Sequence, residues 1–118
     1  MHEMALTENV VDIVLRNATM AEAKEVTRVH LQIGELRDIV EKLMTDCFHY
    51  IARGTIAENA ALEIERIPLI IQCRNCGEKK HLKLHTGDGR TTTCEKCGMS
   101  NFHIIQGNEF LVDDIEII

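Results

Sequence analysis

Apolar residues recur at helical spacing near the start of the chain. Met4, Val11, Val14, Leu15 and Ala18 alternate with Glu8, Asp12 and Arg16, which predicts a helix over 4–18. The period then drops to two. Thr27, Val29, Leu31 and Ile33 alternate with Arg28, His30 and Gln32, predicting a strand over 26–33 with one buried and one polar face, ended by Gly34. A second helix is predicted from Asp38, as N-cap, to about Arg53. Its apolar stripe is Val40, Leu43, Met44, Cys47, Phe48 and Ile51, and Gly54 is its stop. Further strands are expected at 61–67 and 109–117. In the last one the alternation shifts at Asp113–Asp114, which suggests a bulge or a bend.

Between Pro68 and Gly107–Asn108 the character changes to Gly, Lys, Thr and Cys. Residues 69–107 therefore read as an insertion into a small domain built from 1–68 and 108–118. The fold class expected is α+β: a small three-stranded mixed sheet with two helices, carrying the inserted domain. A length of 118 residues fits one ordinary domain, or a small domain with a mini-domain. Hydrophobic content of 45% excludes a disordered chain, and aromatics at 3% leave the core to Ile, Val, Leu and Met.

The net charge of −6 argues against a general nucleic-acid binder. Its distribution is uneven: residues 69–107 hold six Lys/Arg against three Asp/Glu, whereas the remainder holds seven against sixteen. Glu3, Glu8 and Asp12 interrupt the first apolar stretch, so no export signal is expected. No apolar run approaches the roughly 20 residues of a membrane span. A soluble, cytoplasmic protein is expected.

In that setting five cysteines read first as thiols or metal ligands. Four form the pairs C-R-N-C-G at 73–77 and C-E-K-C-G at 94–98, seventeen residues apart. Two residues between thiols let one tight turn aim both sulfurs at one metal. Gly77 and Gly98 supply the positive φ such turns need. The run Thr86-Gly-Asp-Gly-Arg90 would centre a hairpin joining the pairs. Four thiolates, Cys73, Cys76, Cys94 and Cys97, favour a closed tetrahedral Zn(II) site with a structural role, and the insertion reads as zinc-ribbon-like. A rubredoxin-type iron centre is the alternative. His81, His85 and His103 lie near in sequence and read as surface residues; a sharper reading makes one of them a ligand or a source of pH sensitivity. Cys47 belongs to a core stripe. His30 and His49 read as solvated, and Glu35, Asp38 and Glu41 as acids drawn to a helix start. No catalytic set is found, so no enzyme is expected.

The first letters, Met-His-Glu, place an imidazole beside the α-amine, and Met1 before His2 should be retained. Amine, backbone amides and imidazole form a compact nitrogen chelate suited to Ni(II) or Cu(II). With reference pKa values of roughly 7.7–8.0 and 6.5 for the two groups, affinity should fall below neutral pH.

The sequence resembles the HypA/HybF hydrogenase-maturation nickel metallochaperones. The resemblance covers the whole chain. It rests on the MHE start, VTRVHLQIGEL at 26–36, ARGTIAENAALEIE at 52–65, both C-x2-C-G knuckles and IIQGNEFLVDDIEI at 104–117. It implies a nickel-binding domain with an inserted zinc domain, and nickel held through Met1, His2 and the backbone nitrogen of Glu3. It implies delivery to the large-subunit precursor of a nickel–iron hydrogenase with a HypB-type GTPase, and in some members service to urease. Some relatives place an acid a little after the Gly-Glu pair as a further nickel contact; either Asp38 or Glu41 would be its counterpart here. A homodimer is compatible with this reading; nucleic acid and membrane are not expected partners. The competing reading, from the basic 69–107 segment, is a zinc-ribbon interaction module of RNA or transcription machinery. Phe102 is its sole stacking aromatic. A third, a metal-dependent hydrolase, lacks an open zinc position and a base.

Overall fold

The computed structural model describes residues 3–83 and 93–118. Met1, His2, His85 and the hairpin centre at 86–90 lie outside the described residues. The elements are α1 (Glu3–Met20), β1 (Val26–Gly34), α2 (Glu41–Ile51), β2 (Ala61–Ile67), β3 (Ile70–Cys73), β4 (Lys79–His81), β5 (Phe102–Gln106) and β6 (Phe110–Ile117). They form the α+β arrangement expected, with two three-stranded sheets ordered β2-β1-β6 and β4-β3-β5. In the first, Arg28 meets Glu63 and His30 meets Glu65, so β1 and β2 run parallel. Gly34 pairs with Glu109 and Glu25 with Ile118, so β1 and β6 run antiparallel. The sheet is therefore mixed. The chain divides into two compact units, one of residues 1–32, 38–65 and 110–118, the other of 33–37 and 66–109.

In the first unit α1 packs against α2 and β6. The buried side chains are Val10, Val11, Val14 and Ala18 of α1, Val26, Val29 and Leu31 of β1, and Met44, Cys47 and Phe48 of α2. Cys47 is a core residue, as its place on the stripe suggests. The buried face of α1 differs from the expected stripe. Met4 is exposed, while Glu3 and Thr7 are buried two turns and one turn before Val10 and Val11. The polar atoms are satisfied locally and across the fold. The Thr7 hydroxyl donates to the Glu3 carbonyl (2.6 Å), and a Glu3 carboxylate oxygen accepts the Val40 N–H (2.9 Å).

That last bond corrects the expected start of α2. Asp38 is not the cap. Val40 holds the N-cap position with extended backbone (φ −99°, ψ 110°) and no side-chain cap of its own. Glu3, 37 residues away, reaches the N-cap N–H as the glutamate of a capping box would, and its charge suits the positive helix end. Ile39 and Met44, both buried, occupy the N′ and N4 positions of a hydrophobic staple. Val40 and Leu43, placed on the core stripe by periodicity, are exposed. The helix ends at Ile51, two residues before the expected Arg53, and Gly54 (φ +78°) follows in the turn.

In the second unit β3 pairs antiparallel with β4 and β5. Its buried side chains include Ile33, Leu69, Ile71, Cys73 and Cys94. Gly34 does more than end β1: a Cβ there would lie 1.9 Å from the Gly107 carbonyl oxygen. Gly107 (φ +114°) in turn leaves no room for a Cβ beside Leu69. Two side-chain-free positions let the backbones touch, and Leu36 N–H donates to Gly107 (2.8 Å) at the same place.

Candidate metal centre

The two cysteine knuckles repeat one backbone pattern. Gly77 N–H donates to the Cys73 carbonyl and Gly98 N–H to the Cys94 carbonyl, closing each turn. Cys73 N–H donates to Glu78 and Cys94 N–H to Met99, so each first cysteine is tied to the residue beyond its glycine. Both glycines have the positive φ their place after the second thiol predicts, +81° and +76°. The first knuckle grows from the end of β3, where Cys73 is in register with Phe102 of β5.

These turns gather all four sulfurs within 4.8 Å of one another. Cys73 and Cys97 are 3.6 Å apart across the cluster, and Cys76 and Cys94 3.4 Å. Sulfurs held at ~2.3 Å around one tetrahedral ion lie about 3.8 Å apart, so this set can close on a single metal. Cys73 and Cys94 are buried, Cys76 is half-buried and Cys97 is exposed.

The thiols are electrostatically unequal. The Asn75 side chain and the Met99 N–H donate to Cys97 and draw its pKa down from 9.0 to about 6. At Cys76 the Glu78 N–H favours the thiolate, but the neighbouring sulfurs and burial outweigh it and push the pKa up to about 12. One charge forms easily in the cluster and further ones are opposed. A divalent cation held by the four thiols would supply the missing counter-charge. Two ion pairs link the surroundings of the knuckles, Lys80 of β4 with Glu95 and Lys96 with Glu78, each at 3.9 Å.

Among the described residues no histidine joins the thiols. His81 on β4 faces Glu35 (3.3 Å). His103 on β5 is half-buried with an Nδ1 that has no hydrogen-bond partner. His49 is not simply solvated: its Nε2 meets the Ala60 carbonyl at 3.1 Å. His30 departs furthest from the expected solvated residue. It is enclosed by Glu65, Asp113 and Asp114. Its polar strand position was legible, but neighbouring strands supply the acids. Sequence reasoning also missed the buried Glu3 carboxylate, although its spacing to Thr7, Val11, Val14 and Ala18 carried the signal.

An α+β scaffold with a closed four-thiol cluster defines a small protein with a zinc-ribbon-like metal centre. The profile of the family described as hydrogenase/urease nickel incorporation, metallochaperone, HypA matches residues 1–117, and the chain belongs to this family. A hydrogenase maturation factor HypA of Dehalococcoides mccartyi is 35% identical over 99% of this chain and 94% of its own length. That of Rippkaea orientalis is 38% identical over 99% and 96%. The solution structure of the Ni metallochaperone HypA from Helicobacter pylori covers 100% of this chain and 98% of its own, at 25% identity and a TM-score of 0.67. The family is one of metallochaperones and maturation factors, not of enzymes. No described helix is long and apolar enough to cross a membrane.

Proposed function

We propose that this chain carries nickel to the large-subunit precursor of a nickel–iron hydrogenase in the cytoplasm, working with a HypB-type GTPase. The ion is the cargo. Its ligands are the α-amine of Met1, the imidazole of His2 and the backbone nitrogen of Glu3. Such a chelate is released by ligand exchange when a partner offers competing donors. Cys73, Cys76, Cys94 and Cys97 hold a resident zinc that shapes residues 69–107 as an inserted zinc domain, with 1–68 and 108–118 as the nickel-binding domain. The zinc-ribbon module of RNA or transcription machinery loses its ground, because the whole chain matches a maturation family.

The observation that carries the reading, beside family membership, is the anchoring of Glu3. Its carboxylate is bound to Val40 N–H and its carbonyl accepts the Thr7 hydroxyl. The third residue is thus tied to the start of α2 by its side chain and to α1 by its carbonyl. Calorimetric titration of Ni(II) into zinc-loaded protein with its native amino terminus tests this beside His2→Ala. One nickel per chain is expected, lost in the variant while zinc stays bound. Equal binding by both proteins rejects the amino-terminal site.

A further inference from the structure

The polar face of the β2-β1-β6 sheet carries a second convergence of metal-ligating groups. His30, at the middle of β1, has Asp113 on its Nδ1 side at 3.0 Å and Asp114 at 3.8 Å. Its Nε2 meets Glu65 of β2 at 3.1 Å. Successive side chains of a regular strand point to opposite faces. Here two consecutive aspartates reach one imidazole, and the half-buried positions of β6 pass from Phe110 and Val112 to Ile115. Two residues opposing one is the mark of a bulge. Both carboxylates meet the same ring nitrogen.

The charges on this face do not balance. The guanidinium of Arg28 is bound by Glu63 and Glu116, both at 2.7 Å. Glu65, Asp113 and Asp114 are left around His30, which carries at most one positive charge. A divalent cation would offset what the imidazole cannot. The geometry suits it. The Nδ1 atom and one oxygen of each aspartate all lie within 4.8 Å of one another. Ligands at ~2.1 Å from one ion and at right angles sit about 3 Å apart, close to the separation of Nδ1 from Asp113. With Nδ1 turned to the metal, Nε2–H is left to donate to Glu65. That is the outer carboxylate which fixes tautomer and ring orientation at histidine-ligated metals.

We infer that His30, Asp113 and Asp114 form a surface site for a divalent first-row transition cation, with Glu65 as its positioning residue. One imidazole and two carboxylates suit oxygen-preferring and borderline ions, in contrast to the all-sulfur cluster. The site is independent of the amino-terminal chelate and stands or falls without it.

Amide NMR of the full zinc-loaded chain, carrying His2→Ala to disable the proposed amino-terminal chelate, tests the site with Mn(II). This paramagnetic, oxygen-preferring ion does not compete for thiolates. Selective broadening is expected at residues 29–31, 64–66 and 112–115. Asp113→Asn/Asp114→Asn should abolish it, and His30→Gln should weaken it at least about tenfold. Glu65→Gln should keep the pattern but raise the Mn(II) Kd about tenfold, the lower end of outer-carboxylate effects. The spectra before metal addition report whether each variant is folded, and either ligand variant alone decides. Absence of broadening around His30 at millimolar Mn(II) overturns the inference. So does broadening unchanged in the double variant or in His30→Gln, which would mark a diffuse counter-ion atmosphere.

Discussion

Cys97 and Cys76 stand at opposite ends of a shared proton balance, though both are second cysteines of identical C-x2-C-G patterns. Donors from Asn75 and Met99 stabilise a thiolate at one, while sulfur neighbours and burial oppose it at the other. The nucleophile in alkylation is the thiolate. In metal-free protein at pH 7, above the value of about 6 for Cys97 and far below the value of about 12 for Cys76, Cys97 should react well before Cys76. Lowering the pH through 6 protonates Cys97 and slows its alkylation without reversing the order. Timed iodoacetamide labelling read by peptide mass spectrometry checks the order; uniform labelling would show that the knuckles are equivalent. Metal-loaded protein should resist at all four positions. The type and spacing of these residues were legible in the sequence. Their inequality was not, because it comes from donors that only the folded turns aim.

At the scale of the element, α2 shows where periodicity is ambiguous. The predicted stripe holds six apolar residues between 40 and 51, too many for one narrow stripe. The structure buries Met44, Cys47 and Phe48 and leaves Val40 and Leu43 exposed. Which edge of a broad stripe faces inward is set by the helix start, and here Glu3 caps it from α1. Met44→Ala should therefore cost about 2–5 kcal/mol. Leu43→Ala, a chemically similar truncation one residue away, should stay within about 0.5 kcal/mol. Urea denaturation of the two variants measures both. Comparable losses would place Leu43 in the core.

The whole molecule consists of two units with unequal means of support. The first buries side chains from two helices and a strand. Among its described residues the second buries few large ones, Ile33, Leu69 and Ile71 beside the cysteines. Such a small core stabilises a fold poorly, and a bound metal then contributes folding free energy directly. Removing the metal with a chelator should collapse amide hydrogen-exchange protection over 66–83 and 93–109, while α1 and α2 keep theirs. Protection that persists in both units would mean that the second unit folds without a cation.

The chain by itself determined the local elements whose period is strict: β1 and β2 match their alternating patterns almost to the residue. It also determined the four thiols, since a C-x2-C-G turn is closed by bonds within six residues. The motifs of the whole chain carried the resemblance to its family. Tertiary structure alone decided what depends on distant partners. Glu3 displaced Asp38 as the cap of α2 because a carboxylate from α1 reaches that N–H. Gly34 and Gly107 owe their identity to each other's backbone and to Leu69. His30 meets three acids because β6 and an adjacent parallel strand converge on it. A strand's alternation says which face a side chain takes, but not what the neighbouring strands place beside it.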